Sequence, residues 1–279
     1  MNEQPVTRCA VLGSPISHSL SPALHRAAYE HLGLDWRYGM HEVDEAGLVG
    51  FLRGLDSSWR GLSLTMPLKQ VALACVDEVS ETARVVEAVN TMLIEPGGRR
   101  YGDNTDVPGM VNALRERGVG RVSAGAVLGG GATARSALAV LRQVAEAATV
   151  YVRTPARAEQ LLSVAADLGL ACAVRPWEER QDGLAAPVVM VTTPVGATDD
   201  LADAVPERPG TLLDVAYDSG ATPLATSWAS AGGAVVGGLD VLAHQAALQV
   251  RLMTGADVPV KVLREAGEQI IAARTAAAN

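Results

Sequence analysis

The sequence of 279 residues has little of what marks several classes of protein. Its three cysteines, Cys9, Cys75 and Cys172, are far apart and form no C-x-x-C pair, so we expect neither a zinc site nor a disulfide framework. It has no basic tract, and its formal net charge of −8 disfavours nucleic acid or an anionic membrane as a partner. It has no apolar run of membrane-spanning length. His18 and His25 have no third metal ligand at a matching spacing.

The location and size of the protein follow from the same composition. The polar segment 1–4 lacks the basic region of a signal peptide, and scattered cysteines suit a reducing compartment, so we expect a cytoplasmic protein. The length is enough for two domains, and a hydrophobic content of 48% is enough for a core in each. Either a monomer or a homodimer is compatible with the sequence.

A glycine-rich turn stands at the centre of the chain. Residues 126–128 are apolar and predict the end of a buried strand, and residues 132–141 predict a helix. Gly129, Gly131 and Ala134 fit the G-x-G-x-x-G/A spacing that lets a pyrophosphate bind backbone N–H groups at a helix N-terminus. An ordinary tight turn can have the same composition, so the following strand has to decide between the two.

That following strand, Thr149–Val152, has no carboxylate close behind it. A fold that prefers NAD usually places an acidic residue there, to bind the ribose 2′-hydroxyl. Arg153, Thr154 and Arg157 come instead, and arginine suits a 2′-phosphate by its charge and its planar donors. A solvated helix start is the alternative, but cations at a helix N-terminus oppose the helix dipole. The expected cofactor is therefore NADP.

The order of strands and helices predicts the fold class. Strand and helix patterns alternate from about residue 124 to residue 215, which indicates a doubly wound parallel sheet. We predict an α/β protein of two domains. Residues 1–105, completed by C-terminal helices in 239–279, form an N-terminal α/β substrate domain, and residues 106–238 form a Rossmann-type NADP domain.

Polar side chains gather at strand ends before residue 107. Ser19 and Ser21 lie at a strand-to-helix turn, where hydroxyls can bind a carboxylate; from this segment alone, Ser21 as the N-cap before Pro22 is the favoured interpretation. Further polar groups are Ser63, Thr65 and Lys69 at the end of a strand, Asn90 inside an apolar run, and the segment 103–106 before a helix. Ligands in α/β sheets bind at such carboxyl ends.

Taken in order, these segments resemble the shikimate dehydrogenase family, which includes quinate dehydrogenases, over nearly the whole chain. The matching motifs are residues 17–22, 63–69, 88–91, 102–106, the Gly129 turn, 153–154, 214–217 with 222–224, and 242–246. The resemblance implies NADPH-dependent reduction of 3-dehydroshikimate to shikimate, a step in aromatic amino-acid biosynthesis.

The resemblance also implies roles for individual residues. Lys69 would act as the acid/base at the reacting carbonyl, with Asp106 as its partner. Contacts with the substrate would come from Ser19, Ser21, Ser63, Thr65, Asn90, Tyr217 and Gln245. Contacts with the cofactor would come from Gly129, Gly130, Gly131, Ala132, Thr133, Ala134, Arg153, Thr154, Arg157, Thr193, Val215 and Gly238.

The sequence departs from the family pattern at five positions. Ser63 and Val152 stand where the family commonly has asparagine. Asp240, Val241 and His244 replace a glycine, a methionine and a small residue. The last three bear on packing at the nicotinamide side, not on the class of reaction.

Two alternatives stay open at this stage. A quinate or aminoshikimate dehydrogenase would share the fold, but the serine pair and the two arginines favour shikimate and NADP. A non-catalytic NADP-binding regulator would also share it, but the presence of both Lys69 and Asp106 favours an enzyme.

Overall fold

The computed structural model describes residues 6–216 and 220–278. The strands are β1 (Thr7–Gly13), β2 (Trp36–Glu42), β3 (Trp59–Leu64), β4 (Glu78–Val79), β5 (Thr91–Ile94), β6 (Arg100–Asp103), β7 (Val122–Leu128), β8 (Ala145–Val152), β9 (Ala171–Pro176), β10 (Val188–Val191), β11 (Thr211–Asp214) and β12 (Ala234–Val236). The α-helices are α1 (Ser21–His31), α2 (Leu48–Arg53), α3 (Leu68–Val71), α4 (Glu81–Val85), α5 (Asp106–Glu116), α6 (Ala132–Val144), α7 (Pro155–Asp167), α8 (Pro223–Ser230), α9 (Gly238–Thr254) and α10 (Val260–Ala278).

The chain divides into two compact units. Residues up to Asp106 and from Leu242 onward form the first unit, and Val107–Val241 form the second. The first unit contains a mixed sheet in the order β2-β1-β3-β5-β6-β4. Strands β1, β2 and β3 are parallel, and β5 runs antiparallel to both β3 and β6. The C-terminal ends of β1 and β3 therefore lie side by side.

The C-terminal helices complete the first unit. Helix α10 packs against α1, and Arg274 donates to the carbonyl of His18 at 2.8 Å. The side chain of Met253, near the end of α9, lies against β3, where a Cβ on Gly61 would come within 2.7 Å of it. A glycine in β3 thus leaves room for a side chain supplied almost two hundred residues later.

The second unit confirms the prediction of a doubly wound parallel sheet. Its strands have the order β12-β11-β10-β7-β8-β9, and every neighbouring pair is parallel. Ala126, Leu128, Val189, Val191 and Leu212 belong to one apolar core, as expected for strands covered on their faces. The three-residue strand β12 is not predicted, because it is too short to show a pattern.

The cap assigned to Ser21 is wrong. Ser21 is the first residue of α1, and the residue in the N-cap position, Leu20, makes no side-chain cap bond. The hydroxyl of Ser19 accepts from the backbone N–H of Ser21 at 3.3 Å instead. At the start of α8, by contrast, Thr222 is the N-cap, and its hydroxyl accepts from the N–H of Ala225. None of the helices described in 6–216 and 220–278 is long and apolar enough to cross a membrane.

Candidate functional site

Lys69 and Asp106 form an ion pair in the first unit. Lys69 lies in the short helix α3, which follows the end of β3, and Asp106 is the first residue of α5, shortly after β6. The ammonium donates to Oδ2 of Asp106 at 2.7 Å. Their side chains are 25% and 15% exposed, so the pair is largely desolvated yet still open to a small molecule. A cation fixed in this way can donate a proton to a developing alkoxide.

Asn90 binds the other oxygen of the Asp106 carboxylate. It directly precedes β5, is 1% exposed, and its amide Nδ2 donates to Oδ1 of Asp106 at 2.7 Å. The same nitrogen lies 3.0 Å from Oε1 of Gln245 in α9. The structure thus brings Lys69, Asn90, Asp106 and Gln245 together, although the last two are far apart in sequence.

The other polar groups of the first unit follow the ends of β1 and β3. The N–H of Thr65 donates to the carbonyl of Leu12, and a Cβ on Gly13 would come within 2.5 Å of the Thr65 methyl. Ser19 and Ser21 follow β1 through a turn whose Ser14 N–H donates to the carbonyl of Met66. These hydroxyls therefore belong to the strand ends at which ligands bind in α/β sheets.

Ser63 is buried, and its hydroxyl is engaged by two side chains. It is 4% exposed, accepts from the hydroxyl of Tyr38 at 2.6 Å and donates to Oε1 of Gln249 at 2.8 Å. Sequence reasoning missed the connection to Tyr38 and Gln249. The available signal was the spacing of Gln249, four residues after Gln245 and hence on the same side of α9.

The glycine-rich turn of the second unit leaves backbone groups uncovered. Gly131 is the N-cap of α6 and supplies no side-chain cap bond. Gly129 has a φ of 127°, and a Cβ there would come within 2.5 Å of Oγ1 of Thr192. At Gly131 a Cβ would meet one atom within 4 Å, Nη1 of Arg157 at 3.7 Å. The turn therefore requires glycine at its first position and is open at its third, where a phosphate would approach the N–H groups of Ala132 and Thr133. The N–H of Ala134 donates to the carbonyl of Gly131 at 3.1 Å.

The predicted phosphate-binding arginines lie beside this turn. Arg157, in α7, donates to the carbonyl of Gly130 at 3.1 Å, and Arg153 lies with its guanidinium 5.8 Å from the ring centre of Trp177. Both arginines are exposed. Thr154 occupies the N-cap position of α7 and makes no cap bond with its side chain. The region can therefore receive an anionic group next to a dinucleotide.

Thr193 follows β10, the strand next to β7, and Val215 follows β11, the strand beyond β10. The hydroxyl of Thr193 is buried and has no hydrogen-bond partner among the residues that the structure describes. Its methyl group would lie 3.2 Å from a Cβ on Gly129, so this unpartnered oxygen is next to the turn. Together with the open side of Gly131, it fits a bound dinucleotide. Tyr217 lies outside the described residues.

The glycine at position 238 is required for a steric reason. A Cβ there would come within 2.4 Å of the carbonyl oxygen of Val215. The first turn of α9 can approach the end of β11 only because the residue is glycine. Two residues later, Asp240 accepts from Arg117 at 3.1 Å and from the N–H of Gly237 at 3.3 Å. This departure from the family pattern thus stabilises the start of α9.

A separate depression of about 960 Å³ lies along the edge strand β2 and the residues that precede β3. None of the predicted site residues lines it. No group of three or more metal-ligating side chains occurs in the described ranges 6–216 and 220–278.

The family models that match the chain describe two domains of one enzyme. Residues 11–92 match the shikimate dehydrogenase substrate binding domain, and residues 238–266 match the shikimate 5′-dehydrogenase C-terminal domain. The chain is 38% identical over 252 residues to a shikimate dehydrogenase (NADP+) of Thermus thermophilus, an alignment that covers 89% of this chain and 92% of the relative.

Solved structures of shikimate dehydrogenases are similar to this chain along nearly all of its length. A crystal structure of Mycobacterium tuberculosis shikimate dehydrogenase superposes with a TM-score of 0.85 at 37% identity, covering 95% of this chain and 99% of that one. The shikimate 5-dehydrogenase of Thermus thermophilus in complex with NADP(H) and shikimate gives a TM-score of 0.83 at 36% identity, with the same coverage.

Proposed function

The chain belongs to the shikimate dehydrogenase family, and from that premise we propose which of its residues carry out the reaction. The protein is an NADP-dependent oxidoreductase that interconverts shikimate and 3-dehydroshikimate in the shikimate pathway. Bound NADPH supplies the hydride for reduction of the ketone, and NADP+ accepts it in the reverse direction. The chain's own residues have to bind the substrate, orient it and manage one proton.

Lys69 is the proton donor in this proposal. Reduction of a ketone builds negative charge on the carbonyl oxygen, and an ammonium group near that oxygen stabilises the charge and gives up a proton. In the oxidation direction the neutral amine takes the proton of the substrate hydroxyl. Asp106 holds the lysine at 2.7 Å and is itself held by Asn90. The proposal rests on this arrangement of Lys69, Asp106 and Asn90, together with Gln245.

The substrate contacts come from groups around this pair. Thr65, Asn90 and Gln245 would bind ring hydroxyls, and Ser19 and Ser21 would bind the carboxylate at the start of α1. Hydroxyl donors bind a carboxylate without the cost of desolvating a second charge. Ser63 and Tyr217 complete the proposed set; a direct bond from Ser63 would compete with its bond to Gln249.

The division of labour between the units follows the same assignment. Residues 1–105 with 239–279 would bind the substrate, and residues 106–238 would bind NADP. The cofactor residues are Gly129, Gly130, Gly131, Ala132, Thr133, Ala134, Arg153, Thr154, Arg157, Thr193, Val215 and Gly238. The open N-terminus of α6 and the unpartnered hydroxyl of Thr193 support this part of the proposal.

Cofactor absorbance tests the proposal. Shikimate, quinate and aminoshikimate are each offered with NADP+ and with NAD+, and formation of the reduced cofactor is followed by its absorbance. We expect rapid turnover with shikimate and NADP+ alone. Turnover with quinate, aminoshikimate or NAD+ would leave Lys69 and Asp106 in place and refute the assigned specificity.

A regulator is the second candidate and gives a different result. It would bind NADPH with no turnover of any substrate pair.

Two further expectations concern assembly and location. Light scattering tests the expected monomer or homodimer, and cell fractionation tests the expected cytoplasmic location.

A further inference from the structure

A series of buried hydrogen bonds connects β2 with the Lys69–Asp106 pair. It starts at Tyr38, whose hydroxyl donates to Oγ of Ser63 at 2.6 Å. Burial holds the pKa of Tyr38 well above its usual value, so this hydroxyl keeps its proton. Ser63 accepts one bond and donates the next, to Oε1 of Gln249 at 2.8 Å. The direction of these first two bonds is therefore fixed.

Gln249 extends this series of hydrogen bonds to Asn90 by two routes. With Oε1 occupied as an acceptor, its nitrogen Nε2 donates to Oγ1 of Thr91 at 2.9 Å and to the backbone carbonyl of Asn90 at 3.2 Å. Thr91 then donates to Oδ1 of Asn90 at 2.8 Å. Gln249 thus holds both the main chain and, through one hydroxyl, the side chain of Asn90.

The direction of the bonds decides which end of the Asn90 amide faces the carboxylate. Because Oδ1 of Asn90 is the acceptor for Thr91, Nδ2 points to the other side and donates to Asp106 and Gln245. A reversed amide would place an oxygen against the carboxylate and repel it. The order of donors and acceptors that begins at Tyr38 therefore ends at the group that holds Lys69.

We propose that Gln249 is a positioning residue, which orients Asn90 and through it Asp106 and Gln245 for the reaction. The inference rests on the proposed function of Lys69 and Asp106. Gln249 is 1% exposed and touches neither of these two through any described hydrogen bond, so its influence is indirect.

Gln249 does not hold Asn90 alone. The N–H of Thr105 also donates to Oδ1 of Asn90, at 2.8 Å. Loss of Gln249 should therefore loosen the orientation of Asn90 and leave it partly ordered. Displacement of a reacting group by a fraction of an ångström costs about tenfold in rate, whereas loss of an acid/base group costs about 10²-fold or more.

Kinetics of Gln249→Met give the first test. Methionine has nearly the shape of glutamine and removes both hydrogen-bonding ends. We expect kcat/KM for shikimate to fall about tenfold, with a contribution from kcat, while the Kd of NADPH stays unchanged. Gln269→Met is the matched control, an exposed position in α10 of the same unit, and should behave as the wild type. A purely structural role would lower Tm and leave kcat and KM of the folded protein unchanged.

Nuclear magnetic resonance gives a readout that needs no turnover. The side-chain amide signal of Asn90 is identified by its loss in Asn90→Ser. We expect Gln249→Met to move this signal and to speed its hydrogen exchange, and Ser63→Ala to do the same to a smaller extent. If Gln249→Met does not fold, the Asn90 amide signal of Ser63→Ala carries the test, because Ser63 is also a proposed substrate contact and its kinetics would not separate the two roles.

The outcomes separate the two proposals. A wild type that binds NADPH without oxidising shikimate would refute the proposed function, and the Asn90 signal would still decide on Gln249. A folded Gln249→Met with wild-type kcat, KM and Asn90 amide exchange would overturn the positioning role. A tenfold loss of kcat/KM together with an altered Asn90 amide would support it.

Discussion

Lys69 and Asp106 lie 2.7 Å apart although 37 positions separate them, and the second carboxylate oxygen of Asp106 is bound by an amide. The carboxylate is thus held from two sides, and it in turn holds the ammonium of Lys69. An acid/base group held by an ordered partner is kept in position for proton transfer to a substrate oxygen.

Replacement of Lys69 should therefore affect the chemical step. We expect Lys69→Met and Asp106→Asn each to lower kcat by about 10²- to 10⁴-fold, with smaller changes in KM. Initial rates of shikimate oxidation measure both constants. The chain's other lysine, exposed Lys261 in α10, provides the control Lys261→Met, which should keep the wild-type rate. Equal losses in all three variants would refute the assignment.

The arginines near the glycine-rich turn should determine which dinucleotide binds. We expect Arg153→Ala and Arg157→Ala each to raise the Kd of NADP+ about tenfold or more, because each would lose a charge-assisted bond to the 2′-phosphate. The Kd of NAD+ should change little. Calorimetry with both dinucleotides measures the ratio, and Arg208→Ala, exposed and in the same unit, is the control. An unchanged ratio would refute the role of these arginines.

Two glycines of the turn should respond differently to the same substitution. Gly131→Ala should keep its Tm, since the new Cβ meets one atom at 3.7 Å, but it should weaken NADPH binding about tenfold or more by obstructing the backbone. Gly129→Ala should lower Tm, because φ is 127° and the Cβ would clash with Thr192. Differential scanning fluorimetry with and without NADPH separates the two effects. A Gly131→Ala protein with wild-type affinity would contradict the proposed phosphate site.

The pH dependence of stability should include a contribution from His25. Burial lowers the pKa of this histidine to about 4, and its Nε2 has no partner among the described residues. The unfolded chain, with a pKa near 6.5, therefore binds more protons between pH 6.5 and pH 4, and the free energy of unfolding falls as the pH drops through that window. From pH 7.5 to pH 5 the loss should be about 2 kcal/mol.

Urea unfolding at the two pH values measures this contribution. His25→Phe keeps an aromatic ring against Tyr38, which His25 stacks on at 3.9 Å, and should lose about 2 kcal/mol less than the wild type on acidification. His31→Phe, at an exposed position of the same helix, should keep the wild-type pH dependence. Parallel pH dependences of wild type and His25→Phe would rule out the contribution.

The parallel sheet and the glycine-rich turn could be predicted because their signals are local. A strand, three glycines and a helix follow one another within twenty residues, and alternation of elements specifies a parallel sheet. The cap at Ser21 was wrong because the helix begins at Ser21 itself, whose N–H donates to the hydroxyl of Ser19 two residues earlier. The bond from Ser63 to Gln249 joins positions 186 apart. The spacing of Gln249 from Gln245 places both on one side of α9, but it does not identify Ser63 as the partner. Buried polar pairs of this kind are specified by the packed fold alone.

The division of the first unit into two stretches of chain has a consequence for synthesis on the ribosome. The second unit is continuous and can fold once residue 241 has emerged, since domains fold as units during translation. The first stretch of the first unit, up to Asp106, is synthesised before its partners in the C-terminal stretch. Until those partners are made, β3 lacks the contact of Met253 at Gly61, and α1 lacks its contact with α10. The segment made first is thus completed last, and slow translation beyond residue 241 would lengthen the time in which its apolar surface can bind a chaperone or another nascent chain.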